Sequence, residues 1–315
     1  MALAVPSPTS RLFSDSILLS GHKAAVLNCK FSPDGRLLAS VSQDKSLLLW
    51  DVFHPQCRCL GALTGHRNAI TDLFWSVVDD SKVITSSADR SLGIFDLNEW
   101  QRVKKLQGHT GIVNTCYGSV RGSQVLISGS DDCTVKLWDP REKGCTQSWP
   151  ILVPVTAVCM DEFGTSAYVG SIDSSIQVWD MRTNSLRELL KGHTDSITGL
   201  AFSQDGSYLL SNSTDQTMRC WDVRPFVQGA RYLKLYEGVP HSYDKGLLRC
   251  AWSSDNLVVS AGSSDRLVHL WDSSTRQKTK ALTGHNGTVY AVEFHPEGKI
   301  VASCSADSYL VVGYY

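Results

Sequence analysis

An aromatic residue followed by aspartate recurs along this chain at a nearly constant interval: Trp50-Asp51, Phe95-Asp96, Trp138-Asp139, Trp179-Asp180, Trp221-Asp222 and Trp271-Asp272. Successive pairs lie 45, 43, 41, 42 and 50 residues apart. Self-similarity at such a period means that each unit is one supersecondary block, stable only when its apolar face is covered by its neighbours. About 40–45 residues is the length of a four-stranded propeller blade. A second marker keeps register with the first. An aspartate stands six residues before each aromatic, at Asp44, Asp89, Asp132, Asp173, Asp215 and Asp265. A seventh, Asp307, points to Gly313, where the aromatic is lost. Seven aspartate markers predict seven blades. A third marker, Gly-His, occurs at Gly21-His22, Gly65-His66, Gly108-His109, Gly192-His193 and Gly284-His285, and is missing from the fourth and sixth repeats.

Alternation places the strands within a repeat. Four residues after each histidine stands a branched apolar residue (Val26, Ile70, Val113, Ile197, Val289), and seven after it another apolar one (Cys29, Leu73, Cys116, Leu200, Val292). This pattern reads as the inner strand of a blade. Turn residues such as Ser32-Pro33-Asp34-Gly35 follow. A second strand then runs to the Asp turn, a third ends at the aromatic, and an edge strand precedes the next Gly-His. The seventh repeat stops at Tyr315 without an edge strand, while residues 16–20 form a spare strand ahead of the first Gly-His. The expected fold is all-β: a seven-bladed propeller over residues 14–315, closed by its N-terminal strand, with residues 1–13 as a flexible tail. Closure of this kind removes an open sheet edge.

Composition narrows the function classes. Formal net charge is −1, so nothing global attracts a polyanion. The ten cysteines are scattered and contain no C-x-x-C pair, which argues against zinc. Residues 1–13 lack a continuous apolar stretch, and no run approaches the ~20 apolar residues that span a bilayer. A soluble chain in a reducing compartment is expected, with no membrane contact. P-loop, H-E-x-x-H, G-x-S-x-G and dinucleotide fingerprints are absent. No enzymatic activity, cofactor, metal or small-molecule substrate is therefore expected.

Gly-His, the Asp turn and Trp-Asp at this spacing resemble the WD-repeat family. Histidine, serine and aspartate in each repeat could be misread as a hydrolase triad. Four residues before the aspartates stand Ser40, Thr85, Ser128, Val169, Ser211, Ala261 and Ser303. The hydroxyl is missing in the same two repeats that lack Gly-His, as expected of groups that bond each other. The resemblance implies structural hydrogen-bonded tetrads: His22, Ser40, Asp44 and Trp50; His109, Ser128, Asp132 and Trp138; and His193, Ser211, Asp215 and Trp221. Two sets lack the tryptophan: His66, Thr85 and Asp89; and His285, Ser303 and Asp307. His241 could serve the sixth repeat, but its spacing leaves that undecided. Trp149, outside any Trp-Asp slot, is expected to matter less than Trp50 or Trp221.

Binding residues are sought where the repeats differ. Arg141, Arg182 and Arg224 each follow a Trp-Asp pair by two. This W-D-x-R box is similar to that of substrate receptors of cullin-type ubiquitin ligases, although a strand-end arginine pairing with a nearby carboxylate gives the same pattern. The longest interval holds residues 224–249, with a net charge of +3. Its Phe226, Arg231, Tyr232 and Tyr236 are the expected partner contacts, since basic and aromatic side chains suit an acidic protein surface or an RNA backbone. The runs 192–200, 206–212, 222–226 and 129–139 resemble those of the WD-repeat subunits of the spliceosomal U-five small nuclear ribonucleoprotein. That resemblance implies a nuclear, non-catalytic scaffold acting in pre-mRNA splicing. Its implied partners are the large U-five scaffold protein, the helicase and the GTPase, with any RNA contact indirect. A ubiquitin-ligase substrate receptor is the alternative.

Overall fold

The computed structural model describes residues 16–315 apart from 55, 56, 78, 80, 122, 123, 143, 228 and 243–245. The expected tail, residues 1–13, lies outside the described residues. Seven four-stranded antiparallel sheets follow one another along the chain. In the first, Val26–Phe31, Leu37–Ser42, Ser46–Asp51 and Arg58–Thr64 run from the innermost strand to the outermost. The first three strands are covered on both faces and are almost wholly buried, whereas Arg58–Thr64 is mostly exposed. The inner strands Val26–Phe31, Ile70–Trp75, Val113–Gly118, Val155–Met160, Ile197–Phe202, Cys250–Trp252 and Val289–Phe294 each touch the next, and the last touches the first. That contact closes the ring.

The seventh blade is built from both ends of the chain. Ile17–Ser20 pairs antiparallel with Tyr309–Tyr314, Ile17 opposite Val312 and Ser20 opposite Tyr309. Leu19 is buried among Leu310 and Val312 of the last blade and Leu48 and Trp50 of the first. The N-terminal strand thus covers the open edge of the last blade and packs against the first.

A bulge positions the contacts between blades. In six blades the register between inner and second strand slips at the same place, for instance between Ile70 and Asp72 and between Val155 and Ala157. A bulge re-aims the side chain at the slip, here toward the next blade. Thr71 Oγ1 donates to the Val113 carbonyl at 2.5 Å, Asn114 Nδ2 to Val155 at 2.9 Å, Thr156 Oγ1 to Ile197 at 2.5 Å and Thr198 Oγ1 to Leu248 at 2.9 Å. The sequence reading missed these stitches. Their signal is a Thr or Asn directly after the branched apolar residue that opens the inner strand, at 71, 114, 156 and 198.

Arg249, grouped by sequence with the exposed basic stretch, sits instead in the channel on the propeller axis. From the sixth blade its guanidinium reaches the Asn114 carbonyl at 2.9 Å, the Thr156 carbonyl at 3.4 Å and the Asp72 carboxylate at 3.4 Å. One side chain therefore ties the sixth blade to the second, third and fourth.

Candidate functional site

The recurring polar residues meet inside each blade. In the first, His22 Nδ1 lies 3.0 Å from Asp44, His22 Nε2 lies 2.8 Å from Ser40 Oγ, and Trp50 Nε1 donates to the same hydroxyl at 2.8 Å. The third and fifth blades repeat this with His109, Asp132, Ser128 and Trp138, and with His193, Asp215, Ser211 and Trp221. One proton arrangement satisfies every group. The carboxylate accepts from Nδ1–H, so Nε2 of a neutral imidazole accepts the serine proton, and the serine oxygen accepts the indole N–H. The hydroxyls of Ser40, Ser128 and Ser211 are fully buried. Already bonded and sealed from solvent, they have no route to a substrate.

The Gly of Gly-His makes room for the tryptophan. A Cβ at Gly21 would lie 2.8 Å from Trp50, and one at Gly192 would come within 3.0 Å of Trp221. The second blade keeps His66 on Asp89 at 3.0 Å and on Thr85 at 2.8 Å, and Phe95 fills the tryptophan slot without a donor. The seventh keeps His285 on Ser303 at 2.8 Å and Asp307 at 3.2 Å. Its tryptophan slot is Gly313, where an added Cβ would lie 3.4 Å from Ser16. In the fourth blade Asp173 takes Ser171 and Ser175, while Trp179 donates to Gln177 at 3.1 Å. In the sixth, the imidazole on Asp265 comes from His269, four residues on in the third strand, at 2.7 Å. His241 is not that partner: among the described residues its Nε2 has no hydrogen bond, and burial pushes the ring down to about 4.

Burial also lowers the imidazoles of His22, His109, His193 and His285, against the pull of their aspartates. For the aspartates burial acts upward, but donated hydrogen bonds outweigh it. Asp44 is held at about 2, and Asp89, Asp132, Asp215 and Asp307 also lie below the usual carboxylate range. In both classes the folded value is depressed, so acid protonates the unfolded chain first. Stability is complete above the unfolded histidine value of ~6.5 and falls below it. It falls again below ~3.9 as the aspartates titrate. The melting temperature is expected to drop between about pH 7 and about pH 5. A melting temperature that stays level across that window would show that these imidazoles are not held neutral.

The turns between third and fourth strands lie on the rim opposite the one that carries the Gly-His loops and the Asp turns. Arg141 grips its own Asp139 through Nε at 3.0 Å and Nη2 at 2.6 Å, and Arg224 grips Asp222 in the same way at 3.0 and 2.5 Å. Arg182 bonds Asp180 only through its backbone N–H, at 2.8 Å, and its side chain is exposed. Two of the three boxes are thus strand-end ion pairs.

In the long fifth interval the expected contacts divide. Phe226 is 95% exposed and holds a positive φ of 65°. Tyr232 is 39% exposed, edge-on to Trp221 and under the Arg219 guanidinium. Arg231 is not available in the way the sequence suggests. Nε donates to Glu188 at 2.6 Å, and Nη1 to the carbonyls of Asp222 and Arg224 at 3.1 and 3.0 Å. These bonds pin the turn and join two blades. Tyr236 is no surface residue either: it is fully buried, and its hydroxyl donates to the Ser273 carbonyl at 3.0 Å. Trp149 likewise departs from expectation, since it is buried and stacks on Trp179 with ring centroids 5.0 Å apart.

Residues 14–51, 57–96, 100–139, 184–222, 236–272 and 276–312 match the WD40 family, the WD domain or G-beta repeat. The stretch between the third and fourth matches holds the fourth blade, one of the two without Gly-His. The pre-mRNA-splicing factor cwf17 of Schizosaccharomyces pombe is 44% identical over 306 residues, 97% of this chain and 89% of that protein. The U5 small nuclear ribonucleoprotein 40 kDa protein of Homo sapiens is 43% identical over 310 residues, 98% of this chain and 86% of that one. Its Dictyostelium discoideum namesake is 39% identical over 306 residues, 97% and 86% of the two chains. A propeller of seven such blades, similar along its whole length to these proteins, belongs to the WD40-repeat family and, within it, to the family of the U5 small nuclear ribonucleoprotein 40 kDa protein.

Proposed function

We propose that this chain is a nuclear, non-catalytic scaffold subunit of the U5 small nuclear ribonucleoprotein, acting in pre-mRNA splicing through contacts with other proteins. The observation that carries the reading is the 43% identity to the human U5 40 kDa protein across 98% of the chain. The likeness covers every blade rather than one repeat. The partners fitting this role are the large U-five scaffold protein, the helicase and the GTPase, with RNA contacted through them. The ubiquitin-ligase alternative loses support because Arg141 and Arg224 spend their guanidiniums on their own aspartates.

Among the residues singled out by sequence, Phe226 and Arg182 are the best placed to touch a partner. They stand on neighbouring blades at the same rim. A phenylalanine in the left-handed region, exposed to this degree, costs stability and receives no packing in return. Such an anchor suits the centre of an interface. Depleting the protein is expected to cause intron retention, reversed by the parent sequence. Phe226→Asp with Arg182→Glu should reverse it poorly while melting at the same temperature, since both side chains face solvent. Full rescue by that variant would remove these two residues from the interface. Unchanged splicing on depletion would remove the splicing role.

A further inference from the structure

The rim formed by the Gly-His loops and the Asp turns carries a charge asymmetry that the fold does not require. Two positions recur there in the blades. The residue after the histidine gives its backbone N–H to the tetrad aspartate, as Lys23 does to Asp44 and Arg67 to Asp89, both at 2.9 Å. Its side chain is left to solvent. The residue after the aspartate sits at the tip of the turn with φ between 61° and 72° in all seven blades, at Lys45, Arg90, Cys133, Ser174, Gln216, Arg266 and Ser308. A left-handed tip favours Gly or Asn on backbone grounds and asks for no cation. Yet the first and second blades, side by side, carry a cation at both positions: Lys23 and Lys45, then Arg67 and Arg90, all exposed. Among the described residues none of the four has an ion-pair partner, because Asp44 and Asp89 face inward to His22 and His66.

The next two blades change character along the same rim. Ile112 is 40% exposed, Ile172 46% and Leu152 88%, the last again at a positive φ of 73°. Free cations beside unpartnered aliphatic side chains make a composite surface. We propose that this arc, from the first blade to the fourth, docks an acidic segment of a partner protein that carries apolar residues beside its carboxylates. Charge complementarity places the carboxylates over Lys45 and Arg90 and the apolar residues over Leu152. A nucleic-acid strand fits less well. The exposed aromatics of these four blades, Phe53, Trp100 and Phe163, stand on turns of the opposite rim, so among the described residues bases would find no aromatic ring to stack on. Asp131 and Asp173 on the apolar half would repel a longer polyanion. The inference concerns a different rim from Phe226 and stands whichever complex hosts the chain.

Fluorescence anisotropy on the full chain tests it, with three labelled probes. These are a peptide of glutamate and serine ending in Leu-Leu, the same peptide with lysine for glutamate, and an oligo-uridylate of equal charge to the first. The acidic peptide is expected to bind in low salt and the lysine peptide not to. Lys45→Glu with Arg90→Glu should weaken the acidic peptide about tenfold, the order expected when two rim attractions become repulsions. Leu152→Ser should weaken it independently, and neither variant should change the melting temperature. Absence of binding to the parent, or equal binding by parent and both variants, would overturn the proposal. So would an oligo-uridylate that binds more tightly than the peptide and is lost in the charge-reversed variant, because the arc would then be a nucleic-acid surface.

Discussion

Trp221→Ala is expected to lower stability by about 3–5 kcal/mol, the range for truncating a buried tryptophan. The ring is 2% exposed and packs under Gly192, and its N–H ends the chain of bonds through Ser211 and His193 to Asp215. Trp221→Phe separates the two contributions. It keeps most of the packing and leaves Ser211 without its indole donor, a loss of about 1 kcal/mol. The second blade already lives with that loss, since Phe95 fills its slot. Trp179→Ala should cost less than Trp221→Ala, because that ring is only half-buried and its N–H bonds a neighbouring side chain rather than a tetrad. Urea melts of the three variants check the ranking. Equal losses at 179 and 221 would contradict the assignment of the fifth blade's tetrad as a stabilising unit.

Arg249→Met is expected to cost about 3–5 kcal/mol, the range for removing one partner of a buried ion pair. Its methylenes would be replaced, but the Asn114 and Thr156 carbonyls and the Asp72 carboxylate would lose a donor they share. Arg249→Lys should not restore stability, since a single ammonium cannot span three acceptors from different blades. A lysine variant that melts with the parent would mean that charge alone, and not the reach across the channel, matters there.

The seven blades and the strand that closes them were legible because their markers have backbone causes. Every blade needs an aspartate at its turn, and that residue survives even where tryptophan, histidine or serine is lost. Side-chain placement was legible only where Gly-His anchors the register. Tyr236 and Trp149 were misread for one reason. Both fill the outer-strand slot that pairs with the residue three after the turn aspartate, opposite Met218 and Val135. Leu63, Leu106 and Leu190 fill that slot in other blades, opposite Leu47, Leu92 and Ile176, and each stands three residues before a Gly-His histidine. Tyr236 and Trp149 precede the two repeats that lack Gly-His, so no marker along the chain sets their phase. His269 was missed because its repeat draws its imidazole from the third strand, a substitution in space that spacing along the chain does not show. Arg249 was misread because length and charge place a residue in an interval but not on the propeller axis.

The claim that this chain is a binding subunit of the U5 particle is tested most directly by its stable company. Tagged chain purified under native conditions, treated with ribonuclease and analysed by quantitative mass spectrometry should retain the large U-five scaffold protein, the helicase and the GTPase in near-equal amounts. Retention after ribonuclease is expected because the contacts are to protein. Recovery of a cullin adaptor in near-equal amount without those proteins, or their complete release by ribonuclease, would contradict the account.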